Sequence, residues 1–246
     1  MVPIQPSILP KLTFHFSNIF FAWIAWTPQK PPSPSEQNTF TEKPHTREYI
    51  PNFVSWFSPS FNAWVKLITV LELYLLFCNV YPNIIHQPIL SFLSVTPTTL
   101  TNLTNVPPTF VLGCTLLAGG ASLRGLCYWY LGKNFTFQLA LRKGHTLCTG
   151  GPYSIVRHPS YTGIVLCLLG HTLCMLGPGS WWAESHAYDT SFGKFVAVLW
   201  ITMVCLLLGM AFTRVSKEDV IMKDAFGSQW VEWANRTPYA MIPLLY

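Results

Sequence analysis

Residues 151–176, GPYSIVRHPSYTGIVLCLLGHTLCML, change character partway along. The first eleven carry Arg157, His158 and two tyrosines, Tyr153 and Tyr161; the residues that follow are almost wholly apolar. The apolar part reads as a membrane helix, and Pro159 fits its first turn, where a missing N–H costs nothing. The free N–H groups of that helix start favour an anionic group on the polar side. Hydrogen-bonding groups therefore crowd the point where the chain enters the bilayer.

The same apolar signal recurs on either side. Phe61–Tyr81, Thr109–Leu131, a stretch from Ser160 to the turn GPGSWW at 177–182, and Phe192–Phe212 are each long enough to approach or cross ~30 Å of hydrocarbon. A fifth stretch, Leu12–Trp26, is short for a span. Only 10% of the 246 residues are charged, against about 25% in a soluble domain, and 50% are hydrophobic. The expected fold is an all-α membrane protein, a multi-span bundle of four to five transmembrane helices. Residues 1–60 are expected to hold an apolar segment and a Pro/Ser/Thr-rich linker, Thr27–Pro51, in extended form; 61–246 form the membrane domain.

Several function classes fall away. The net charge of +5 is not gathered in one basic block, which argues against nucleic acid as a partner. The seven cysteines form no CxxC or CxxxC pair and most sit in apolar runs, so they read as small buried hydrophobes, with neither a disulfide framework nor a metal site.

The basic residues sort by segment. Loop 132–159 holds Lys133, Arg142, Lys143 and Arg157, and the tail 213–246 holds Arg214, Lys217, Lys223 and Arg236, while loops 82–108 and 181–191 hold none. By the positive-inside rule the loop and tail face the cytosol together, as does segment 27–60. Trp129, Tyr130, Trp181 and Trp182 stand where interfacial aromatics belong. The two blocks richest in polar chemistry can therefore meet in one site, with a cytosolic pocket built from loop 132–161 and the C-terminal helices.

That tail reads as two short helices, about Arg214–Phe226 and a second capped by Ser228 and ending before Pro238. Arg214 and Glu218, four apart, share a helix face, either as a simple ion pair or as site residues. Arg124 lies about two turns inside the second span, at the end of an uncharged run of 51 residues after Glu72. It either snorkels or lines a polar cavity, and Glu72 is either paired or a cavity residue. His171 reads as a helix–helix hydrogen bonder.

The motifs LR (123–124), LGKNF (131–135), HTLCTGGPYSIVRHPSYTG (145–163), RVSKED (214–219), FGSQW (226–230) and RTPY (236–239) occur in that order. Together they resemble the isoprenylcysteine carboxyl methyltransferase family, integral membrane enzymes that use S-adenosylmethionine and are related more distantly to phospholipid methyltransferases. The resemblance covers roughly residues 113–243. It implies methyl esterification of the C-terminal prenylcysteine carboxylate of prenylated proteins, in the endoplasmic reticulum membrane, with the site facing the cytosol. It implies that Gln138, His145, Thr146, Leu147, Cys148, Tyr153, His158, Pro159, Ser160, Tyr161 and Glu218 contact the cofactor. Arg214 matches the arginine assigned to the substrate, and Arg124 resembles the other active-site arginine. The implied partners are prenylated protein C-termini and the lipid bilayer.

Chemistry agrees with arginines rather than a histidine base. A C-terminal carboxyl, with a pKa near ~3.5, is already a nucleophile at neutral pH and needs only to be held and desolvated. A guanidinium does both. An amine acceptor, as on a phospholipid or a small lipid-like metabolite, would instead need a base, for which Glu218, Asp219, His145 and His158 are the candidates. A non-enzymatic scaffold or transporter is the third reading.

Overall fold

The computed structural model describes residues 8–26, 50–81, 87–135 and 144–245, and side chains of the second segment from Pro59 onward. Most of the linker (27–49) and Gln138 lie outside the described residues. The described chain forms nine α-helices: α1 Leu9–Trp26, α2 Ile50–Val80, α3 Gln87–Phe92, α4 Pro97–Asn102, α5 Pro108–Leu131, α6 Pro159–Leu176, α7 Trp181–Glu184, α8 Ser191–Phe226 and α9 Ser228–Arg236. Among the described residues there is no strand.

Four stretches, Pro59–Val80, Pro108–Asn134, Pro159–Glu184 and Ser191–Phe226, are long and apolar enough to cross a membrane. The protein is thus an all-α, multi-span membrane protein, as expected, and the four spans coincide with the four apolar stretches. α1 has 18 residues and is not among these spans.

Two boundaries differ from the sequence reading. Arg214–Phe226 is no separate helix but the continuation of α8, which runs unbroken for 36 residues. At 1.5 Å per residue that is roughly 54 Å, well beyond the hydrocarbon, so its last third emerges as a polar extension. Nothing between Phe212 and Arg214 breaks a helix; loss of hydropathy marks the water boundary, not the helix end. Ser228 is the first residue of α9 rather than its cap: Gly227, at φ 54°, holds the cap position, a conformation suited to glycine.

The chain divides into two compact units that each draw on several helices: 1–23 with 63–119 and 166–206, and 24–62 with 120–165 and 207–246. In the first, α5 and α6 cross at glycines. A Cβ on Gly170 would stand 2.6 Å from the Gly113 carbonyl oxygen, so only small residues allow this backbone approach. α1 presents buried Lys11, His15, Asn18 and Ala22 on one stripe. Lys11 Nζ donates to the Gly179 carbonyl at 2.7 Å and lies 3.7 Å from the Phe110 ring centroid. Glu72 is buried and lines a cavity; it accepts from the Trp181 backbone N–H at 2.8 Å, and its other oxygen lies 3.2 Å from His15 Nε2. Trp182 is buried, the Trp181 indole donates to Leu93 O at 3.2 Å, and Trp129 is 74% exposed.

In the second unit, Arg124 is only 2% exposed. It neither snorkels nor faces open water. Its Nε donates to Ala25 O at 2.8 Å, and one terminal nitrogen donates to Ser160 O at 3.2 Å and Ser160 Oγ at 3.0 Å. A buried guanidinium needs such acceptors, and the last turn of α1 and the first of α6 supply them.

Candidate functional site

The second unit gathers loop 144–158, the start of α6, the polar end of α8 and the C-terminal segment. Arg157 and His158 are fixed first by backbone. Their N–H groups donate to Tyr239 O at 2.9 Å and Ala240 O at 2.7 Å, a short extended pairing of loop and tail. Thr162 Oγ1 donates to Met241 O at 2.6 Å one turn on. Val215, Ala240 and Met241 form the apolar floor beneath, with Tyr161 and Val165 packed against it.

On that frame stands a charged cluster. Asp219 accepts from Arg157 Nε at 3.2 Å and from a terminal nitrogen at 3.0 Å, both on Oδ2, while its Oδ1 lies 2.8 Å from His158 Nε2. Glu218, one residue back, accepts from Tyr161 O–H at 2.6 Å and Arg214 Nε at 3.2 Å, and its second oxygen lies 3.3 Å from His158 Nδ1. Arg157 also donates to Thr237 O and Pro238 O. The Arg214–Glu218 contact is therefore an ion pair, but not a simple one, because the carboxylate is shared by three donors, from the loop, α6 and α8.

Burial alone would hold the His158 imidazole neutral, but the hydrogen bonds and charges of Asp219 and Glu218 outweigh it and push it up to about 9. His158 is then an imidazolium at neutral pH, donating from both ring nitrogens. Burial also pushes the Tyr153 phenol and the Cys148 thiol up, so neither offers an anion at neutral pH.

Beside the cluster, the run His145–Cys148 lines a second wall. Leu147 and Cys148 pack with Cys127, Tyr153, Trp230 and Trp233, and the Trp233 indole donates to Tyr153 O at 3.1 Å. The His145 ring lies 5.7 Å from that of Phe226. Gly151, at φ 58°, takes the left-handed conformation with the Tyr130 ring against the position a Cβ would occupy, so no larger residue fits this turn.

Most of the residues expected from sequence thus converge in one unit: His145, Thr146, Leu147, Cys148, Tyr153, His158, Pro159, Ser160, Tyr161, Arg214 and Glu218, with Arg124 linked through Ser160. Gln138 lies outside the described residues. Sequence reasoning gave Arg157 no role in the site and named Asp219 only as a candidate base for an amine acceptor, although each stands next to a residue expected there. It also left out two buried polar atoms with no hydrogen-bond partner among the described residues, the Trp230 indole Nε1 and Asn134 Oδ1. An unsatisfied donor and an unsatisfied acceptor beside the His145–Cys148 wall fit a polar ligand that both accepts and donates. Among the described residues no group of three His, Cys, Asp or Glu side chains could hold a metal ion.

Comparison with known proteins bears on this arrangement. A family model described as phospholipid methyltransferase matches residues 108–186. The chain is 30% identical over 128 residues to "Protein-S-isoprenylcysteine O-methyltransferase B" of Arabidopsis thaliana, covering 51% of this chain and 55% of that protein. It is 28% identical over 128 residues to "Protein-S-isoprenylcysteine O-methyltransferase" of Schizosaccharomyces pombe, 46% of which is covered, and 25% identical over 130 residues to the Homo sapiens protein of the same name, 39% of which is covered. The chain spans about half the length of the curated relatives it matches.

Proposed function

We propose that this chain, which belongs to the family of the protein-S-isoprenylcysteine O-methyltransferases, methylates the C-terminal S-prenylcysteine carboxylate of prenylated proteins. The reading includes S-adenosylmethionine as methyl donor, a home in the endoplasmic reticulum membrane and a site open to the cytosol.

The observation that carries it is the occupancy of three of the four candidate bases, Glu218, Asp219 and His158; the fourth, His145, lies with its ring 5.7 Å from that of Phe226. Glu218 and Asp219 are each held by cationic donors, and His158 stands protonated between them. An amine acceptor that gave its proton to any of these three groups would do so at the cost of an ion pair. A carboxylate acceptor has no proton to lose. The cluster also balances in its favour: Arg157, His158 and Arg214 carry three positive charges against two on Glu218 and Asp219, leaving one for an incoming anion.

Arg214 is the residue for that anion. Glu218 holds its Nε, which fixes the plane of the guanidinium and aims the fork. The residues present also fit the donor: the His145–Cys148 wall, Tyr153, the Trp230 indole and Asn134 offer apolar faces, a donor and an acceptor for its adenine and amino-acid parts. S-Adenosylmethionine supplies, when bound, a methyl group on a positively charged sulfur. The protein's task is then to hold the carboxylate oxygen within roughly 3–3.5 Å of that carbon and to exclude water. A membrane setting suits the acceptor, because each buried CH₂ of a prenyl chain favours the bilayer by about 0.8 kcal/mol.

The test is methyl transfer from labelled S-adenosylmethionine to N-acetyl-S-farnesylcysteine in membranes containing the chain, beside Arg214→Ala. Base-labile methyl ester formed by the parent and lost in the variant is the expected result. Cofactor binding without ester in the parent would move the reading to another acceptor.

A further inference from the structure

The other unit holds a polar cluster for which this reaction has no use. Lys11, His15 and Asn18 of α1 are all buried, as are Thr69, Glu72 and His171 on two of the helices long and apolar enough to cross a membrane. Burying such groups in a membrane-type bundle is costly and marks a functional locus by default. All but Lys11 line one partly open cavity of about 30 Å³, together with Val65, Ile68, Cys174, Met175 and Trp200.

The lining defines what it can take. Glu72 brings a negative charge, but Lys11 lies close enough for the two to interact electrostatically, so the surroundings offset rather than favour an ion. Among the described residues no metal-binding group of three is formed. Glu72 already accepts from Trp181 N–H on one oxygen. Its other oxygen lies 3.2 Å from His15 Nε2, yet among the described residues that buried nitrogen has no hydrogen bond of acceptable geometry. Asn18 turns its amide nitrogen toward the sulfurs of Cys114 and Cys174, weak acceptors at 3.5 and 3.9 Å. The Thr69 hydroxyl donates to Val65 O and keeps lone pairs to accept. The missing partner must therefore be small, uncharged, and both donor and acceptor.

We propose that this cavity is a binding site for uncharged hydroxyl groups, seated between His15 and Glu72 and reaching Asn18 and Thr69. Its size admits about two groups of water size, at roughly 10–15 Å³ each. The hydroxyl comes either from water or from the head of a membrane alcohol such as a sterol, whose body would stay outside. Either occupant bridges the misaligned His15–Glu72 pair and ties α1 to α2 through a ligand rather than a direct bond.

The test is a crystal structure of the full chain from a lipidic mesophase, grown with and without added sterol and, separately, under xenon. Isolated peaks within hydrogen-bond reach of His15 and Glu72 in both lipid arms identify water. Density joined to a lipid body only in the sterol arm identifies the lipid alcohol. Xenon in the cavity, or no density there when waters of equal burial are visible elsewhere, overturns the proposal. The readout does not depend on methyl transfer.

Discussion

His158 and Asp219 meet at 2.8 Å, Nε2 to Oδ1, across 61 residues of sequence, while the other ring nitrogen lies 3.3 Å from Glu218. One histidine therefore bridges two adjacent carboxylates, and its protonation state governs how the start of α6 is joined to the polar end of α8.

The first prediction concerns pH. The folded pKa of His158, about 9, lies above its ordinary 6.5, so the imidazolium stabilises the fold. That contribution is present in full below about 6.5 and is lost as pH rises through about 9. The shift corresponds to something on the order of 3 kcal/mol at most. Melting temperature in detergent should fall between pH 7 and 10, and His158→Gln should be less stable at pH 7 with a flatter profile over that range. A parent profile as flat as the variant's would sink the idea.

Asp219 gives the second. Its two oxygens hold Arg157 and His158, and Arg157 in turn holds Thr237 O and Pro238 O. Asp219→Asn leaves two partly buried cations with a neutral partner, which should cost roughly 2–4 kcal/mol. Asp219→Glu keeps the charge and should recover part of the loss. Thermal unfolding of the three chains decides it; an Asn variant as stable as the parent would show that the clasp is dispensable.

Arg214→Lys tests geometry apart from charge. Lysine keeps the positive charge but loses the planar fork that Glu218 orients. Under the proposed reaction, catalytic efficiency toward N-acetyl-S-farnesylcysteine should fall about 10- to 100-fold, a loss of roughly 1.4–2.7 kcal/mol in transition-state stabilisation. Binding of the methyl donor should be little changed. Equal activity would mean that charge alone serves the acceptor.

How much of this was legible beforehand follows from what each feature depends on. The spans could be read because twenty apolar residues in a row have few other uses, and the meeting of loop and tail because basic residues gather there while loops 82–108 and 181–191 hold none. The unbroken α8 could not: hydropathy reports where lipid ends, and Thr213-Arg214-Val215 contains no breaker to say whether the helix ends there too. Arg157 and Asp219 were visible as neighbours of chosen residues, but their pairing joins residues 62 apart, which no local pattern encodes. The acceptor of Arg124, the Ala25 carbonyl, is a backbone atom 99 residues away and leaves no trace in side-chain type.

The last prediction tests the seating of Arg124. A Cβ on Gly163 would stand 2.7 Å from Arg124 Cγ and 2.7 Å from Gly120 O, so the glycine gives the arginine stem its path toward Ser160. Gly163→Ala must push the stem or part α5 from α6, and overpacking of this kind costs about 1–3 kcal/mol. Arg124→Ala removes the stem but leaves Ala25 O and Ser160 without their donor, and should destabilise on its own account. The alanine at 163 should then cost less in the Arg124→Ala background than in the parent, because one of its two clashes has gone while that with Gly120 O persists. Four melting curves in one detergent measure the coupling. Strict additivity would mean that Gly163 serves only the crossing of the two helix backbones, and that Arg124 finds its place without it.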